Sequence, residues 1–224
     1  MPSPFLIWQL VDSAFPSGGF AHSGGLEAAV QHGDVGSAAD VERIGRTAVL
    51  QAGRAALPLV CAADRCPADL AALDARADLF LNQPVGNRAS RAQGLALLAT
   101  ARRVFPGQAM EAIAEIVSPP SSAALKGHHA PLFGAVMNAL GVDVDTACRM
   151  FLFQAARGSI SAAVRLGVIG MFDGQRLQAA MADPIEHIVA ACRDLTLDDL
   201  AQAAPILDLY QSTQDRLYSR LFQS

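Results

Sequence analysis

At 224 residues the chain is long enough to fill one domain and short for two. Its composition, 52% hydrophobic and 17% charged against a usual charged share of about a quarter, points to a large core or to apolar surface that meets partners. A net charge of −4 supplies no general pull toward phosphate backbones, so nucleic acid is not an expected partner.

The chain opens on the apolar run Phe5 to Val11, which has no basic region ahead of it and is cut by Asp12 too early for a signal-peptide core. No other apolar run approaches the ~20 residues that span a bilayer; Gly127 to Val142 is interrupted by two His, a Pro and an Asn. Cys61, Cys66, Cys148 and Cys192 are scattered, without disulfide-scaffold or CxxC spacing. Together these features predict a soluble cytoplasmic protein with no membrane association.

Next comes Phe15-Pro-Ser-Gly-Gly-Phe-Ala-His-Ser-Gly-Gly-Leu-Glu27, a glycine-rich stretch between apolar flanks. Ser37 and Asp40 then mark a helix start, with Val41, Ile44, Ala48 and Ala52 forming its apolar stripe. Further helices are predicted between Cys66 and Leu81, from Asn87 to Val104 before Pro106-Gly107, and from Pro131 to Leu140, where Gly141 ends the run. Ser118 to Ser122 is the plainest loop. Asp143 caps a helix that carries Cys148, Phe151 and Leu152 and is expected to continue toward Gly170 as the central buried element. A break falls at Met181 to Asp183, ahead of the Pro184 helix start. Thr196 to Asp199 opens the last helix, expected to reach Leu217 with a bend or split at Pro205. The fold class is therefore all-α, a single compact domain over 1–224 of about eight to ten helices.

The glycine-rich stretch does not carry phosphate chemistry. A phosphate loop needs a closing Gly-Lys-Ser/Thr, and here Gly25 is followed by Leu26. Ser23 lacks the glycine two positions earlier that a nucleophile elbow requires. His22 and His32 are ten residues apart and His128 and His129 are adjacent, so neither pair forms a helical i, i+4 metal face. No catalytic constellation and no resident metal are expected. Glu27 is the one carboxylate in its window; it reads as an exposed helix residue, a structural pair with an arginine, or a functional group. Arg165, in the most apolar helix, reads as a core-edge ion pair or an interface residue. The final segment, 214–224, sets Leu217, Tyr218, Leu221 and Phe222 beside Arg216 and Arg220. It is either a docking arm or a last helix packed on its own core.

Phe5 to Val30 and Leu217 to Ser224 together resemble the UreF family of urease accessory proteins. Weaker matches fall at Asn82 to Leu98, Gly127 to Val136 and Ser159 to Gly170. The resemblance implies an all-α homodimer that is not an enzyme. It implies an assembly with UreD (also called UreH) and the GTPase UreG that delivers nickel to apo-urease, with nickel only in transit and no resident cofactor. It implies that Phe20, His22, Glu27 and Arg220 face the GTPase and that Leu217, Tyr218, Leu221 and Phe222 serve UreD/UreH. Some members carry tyrosine where Phe20 stands, so a role that needs that hydroxyl is not carried over. The alternative to this reading is a stand-alone metal-dependent hydrolase using His22, His128 or His129.

Overall fold

A computed structural model describes residues 3–119 and 124–224. The described residues are helical without a strand. Twelve α-helices follow in order: α1 (Pro4–Val11), α2 (Leu26–Gln31), α3 (Ala38–Ala55), α4 (Leu57–Arg65), α5 (Leu70–Phe80), α6 (Pro84–Val104), α7 (Gln108–Val117), α8 (His129–Ala139), α9 (Val144–Arg165), α10 (Met171–Ala180), α11 (Ala182–Cys192) and α12 (Pro205–Thr213). Single residues, Ala56 and Met181, separate α3 from α4 and α10 from α11, so the twelve make ten tracts.

The start signals act as their chemistry requires. Ser37 Oγ accepts from the Asp40 N–H at 3.3 Å and Asp40 accepts from the Ser37 N–H at 3.1 Å, a reciprocal cap at the head of α3. Asp143 accepts from the Thr146 N–H at 2.9 Å and opens α9. Gly141, at φ 71°, takes the left-handed position that ends α8; the N–H groups of Gly141 and Val142 then reach back to Asn138 and Met137.

Several boundaries differ from expectation. α8 starts at His129, two residues before Pro131, and the break between α10 and α11 is Met181 alone, so that Ala182 and Asp183 belong to α11. α6 starts at Pro84, three residues early, because proline is preorganised for a first turn and lacks the N–H that would go unpaired there. α9 stops at Arg165, well before Gly170: Gly167 turns left-handed and Val168 bonds back to Ala163 at 3.0 Å. The last helix does not begin at Thr196, which caps only a 3₁₀ turn at Leu197–Asp199. Pro205 drives Ala204 out of helical geometry, and an irregular stretch bridges to α12, tied to α3 by the Ala204 N–H on Gln51 at 2.8 Å. The helices α1, α2, α4 and α7, which periodicity did not reveal, are short. Of the loop expected at 118–122, residues 120–122 lie outside those described.

Core packing centres on α8 and α9. α8 buries every side chain from Ala130 to Met137 against α4 and α6, and α9 lies along α3, α4, α10 and α11. At Gly134 a methyl group would strike the Val60 carbonyl, so glycine sets how closely α8 approaches α4. One apolar cluster continues from Leu10 on α1 through both helices to Phe222 in the final segment.

Candidate functional site

The glycine-rich stretch and the final segment, two hundred residues apart, fold against each other. Gly18 and Gly25 adopt positive φ on either side of a 3₁₀ turn at Gly19–Ala21. A Cβ at Gly25 would also press on the backbone of Leu207 and Gln211 in α12, so position 25 needs both the left-handed conformation and the empty space. This bend delivers Glu27 into the protein at the first turn of α2.

Glu27 is 2% exposed and forms no ion pair with an arginine among the described residues. Its carboxylate accepts from the Leu221 N–H at 2.6 Å, the Phe222 N–H at 3.1 Å and Gln214 Nε2 at 2.5 Å. Neither structural alternative drawn for it fits; Glu27 is a buried acceptor for the main chain of the final segment. Further bonds extend the seam. The Gln223 N–H donates to the Ala21 carbonyl at 2.8 Å, Ser23 Oγ donates to the Ser224 carbonyl at 3.0 Å, and His22 Nδ1 lies 2.6 Å from Ser224 Oγ. Gln31 Nε2 donates to the Ser219 carbonyl at 2.8 Å.

Beyond a 3₁₀ turn at Gln214–Arg216, the final segment is thus fixed along its inner edge without being a helix. Phe222 and Ser224 are buried and Leu217 is half-buried, whereas Tyr218, Arg220 and Leu221 project outward, Tyr218 completely. Phe20 is 65% exposed. The Arg165 guanidinium lies 3.8 Å from the Phe20 ring centre and 4.2 Å from that of Phe222, and its Nη1 donates to the Phe20 carbonyl at 2.6 Å. Arg165 joins the two motifs through their aromatic faces, a contact worth about 0.5–2 kcal/mol per ring. It is the participant that sequence reasoning did not place here. Its signal was available as a lone cation in the last turn of an apolar helix, but its aromatic partners come from both chain extremities. Phe20 pairs with Arg165 and not with Arg220. Arg220 shares the Asp215 carboxylate with Arg88, at 3.2 and 2.7 Å.

Behind this seam lies a cavity of about 700 Å³, walled by 13–24, α3, α4, α6, α8 and α9 and reached by His22, His129 and Arg165. His128 is sealed in the wall: its ring sits 3.1 Å from Asp78 Oδ1 and 3.2 Å from Ser90 Oγ, and Ser90 Oγ also accepts from the His129 N–H at 3.1 Å. Asp74 accepts from the N–H groups of Lys126, Gly127 and His128 at 2.7 to 3.0 Å, so α5 and α6 together clamp the entry to α8. Hydrogen bonding to Asn87 and His128 holds the Asp78 carboxyl below its usual range. Among the described residues no group of three His, Cys, Asp or Glu side chains is arranged to hold a metal.

His129 stacks on Phe151 at 5.2 Å and points into the cavity. Burial pushes its imidazole from 6.5 down to about 4, with the His22 charge adding to the shift. Burial lowers His22 too. An unfolded chain takes up these protons near pH 6.5 while the folded chain refuses the one on His129 until about pH 4. This stabilisation is therefore complete above pH 6.5 and lost as pH falls through that window. At about 1.4 kcal/mol per pH unit, the loss from His129 reaches roughly 3 kcal/mol. Urea unfolding from pH 7 to 4.5 should show that decline in the native chain and a shallower one in His129→Gln; parallel pH profiles would contradict it.

Comparison with known proteins places this geometry in context. Residues 35–182 match the family model described as UreF. The chain is 36% identical over 218 residues to urease accessory protein F of Oryza sativa subsp. indica, covering 96% of this chain and 83% of that protein. It is 36% identical over 223 residues to urease accessory protein F of Arabidopsis thaliana, covering 97% and 91%. It is 32% identical over 216 residues to urease accessory protein UreF of Rhizobium leguminosarum bv. viciae, covering 94% and 92%.

Proposed function

The chain belongs to the UreF family of urease accessory proteins, and from that premise we propose that it is a non-enzymatic scaffold for nickel insertion into apo-urease. It works in the cytoplasm as a homodimer, joins a UreD/UreH-type partner and recruits the UreG-type GTPase. Nickel is cargo passing through the assembly, and the chain keeps no resident cofactor.

The observation that carries this reading is the seam. Its inner edge is tied by Glu27, Ser23 and His22, while Phe20, Tyr218, Arg220 and Leu221 are left on the outside. Exposed aromatic, leucine and arginine side chains on a fixed backbone suit a protein interface, because aromatic and arginine anchors carry most of the energy when they start preorganised. Phe20 and Arg220 would then touch the GTPase, with His22 and Glu27 supporting them from within. Leu217, Tyr218 and Leu221 would meet UreD/UreH, with Phe222 as their internal anchor. The hydrolase alternative has less to stand on: His128 is enclosed by Asp78 and Ser90, and its neighbours form a clamp on the backbone.

Urease activation tests the assignment. Cells supplied with nickel and expressing urease with its other accessory proteins should yield active enzyme only when this chain is present. Equal specific activity without it would remove the proposed role.

A further inference from the structure

Two of the four cysteines meet inside the core. Cys61 on α4 and Cys148 on α9 are fully buried free thiols whose Sγ atoms lie 3.5 Å apart, although 87 residues separate them. That is the ~3–3.5 Å separation of atoms held ready to react, and here the packing of α4 against α9 maintains it. The other two cysteines stand apart from this contact: Cys66 is exposed and Cys192 is buried against Gly53. With no third metal-binding side chain grouped with the pair among the described residues, the chemistry available to it is that of one thiol with another.

We propose that Cys61 and Cys148 are a covalent modification site, closing under peroxide into an intramolecular disulfide that fastens α4 to α9. One sulfur attacks hydrogen peroxide, the O–O bond breaks, and a sulfenic acid and one water result. The second thiol attacks that sulfur, the S–S bond forms as the S–O bond breaks, and the hydroxyl leaves with the thiol proton as a second water. Two thiols and one peroxide thus give one disulfide and two waters, with two electrons passing from sulfur to oxygen. Either sulfur can be the first to react, because each can donate its S–H to the other. Since both sulfurs are enclosed, the oxidant must wait for local opening, and closure is slow next to the oxidation of Cys66.

The site matters because both helices wall the cavity, α4 through Leu59 and α9 through Phe151 and Arg165. A disulfide would fix the spacing of these walls.

Tryptic mapping separates the possibilities, since the peptides 55–65, 66–76, 127–149 and 177–193 carry one cysteine each. After incubation with dilute hydrogen peroxide and alkylation in denaturant, non-reduced digests should show 55–65 joined to 127–149 with the loss of two hydrogens. The product should grow with time, vanish on reduction, persist in Cys66→Ala and be absent in Cys61→Ala and Cys148→Ala. The joined chain should melt at least about 5 °C higher than the reduced one. Full alkylation of 55–65 and 127–149 while 66–76 is oxidised would overturn the proposal. So would a link that requires Cys66, or a linked chain with an unchanged melting temperature. The mapping on the native chain stands even if an alanine variant fails to fold.

Discussion

Glu27→Ala is expected to lower the melting temperature by about 6–12 °C and to free the final segment. The substitution removes the acceptor of two main-chain N–H groups and of Gln214 Nε2 at once. Bonds to a charged acceptor are worth about 1.5–3 kcal/mol each, but the segment can swing its freed donors into water, which limits the total to about 3 kcal/mol. For a chain of this size each kcal/mol shifts the melting temperature by roughly 2–4 °C. Phe222 would leave the core with the segment, and Arg165 would lose one of its two aromatic faces. Trypsin should then cut after Arg216 and Arg220 much faster than in the native chain. Glu27→Gln, which keeps one acceptor but turns an amide N–H toward a backbone donor, should fall between. A native melting temperature and native cleavage pattern in Glu27→Ala would show that the seam does not depend on this carboxylate.

The helical skeleton was legible because its signals are local. Ser37, Asp143 and Gly141 act through neighbours within a turn, and the structure has them starting or ending helices as their chemistry implies; Pro184 sits in the first turn of α11, which starts two residues earlier, at Ala182. Pro205 was recognised as a disruption, yet its effect on Ala204 turned an expected long helix into a turn, a bridge and α12. The seam was not legible from physics alone. Glu27, Arg165 and Phe222 mean little one at a time, because each is satisfied by a group more than fifty residues away. The resemblance had singled out both motifs, and the structure adds that they are in direct contact. The final segment also combines features of its two expected forms. Phe222 packs as core, as in the packed alternative, while Tyr218 and Leu221 project outward as on a docking arm.

The second large effect concerns the outer side of the seam. Arg220 is exposed and, among the described residues, pairs with the shared carboxylate of Asp215, and exposed ion pairs contribute at most about 1 kcal/mol. Phe20 is largely open to solvent. Arg220 contributes no more than that pair and Phe20 no more than its one ring contact with Arg165, less than the three bonds of Glu27, so loss of function in variants that stay folded would report binding. An arginine or aromatic anchor at the centre of an interface is worth about 2 kcal/mol or more, near thirtyfold in affinity. Arg220→Ala should also leave the proposed homodimer intact.

The most direct measurement is capture of the UreG-type GTPase by the chain in complex with its UreD/UreH-type partner, comparing native protein with Arg220→Ala and Phe20→Ala. Arg220→Ala should melt within about 4 °C of the native chain and Phe20→Ala within about 8 °C; both should still bind UreD/UreH, and each should retain the GTPase at least tenfold less well. Undiminished capture by both well-folded variants would contradict the claim that the joined motifs form the recruiting surface.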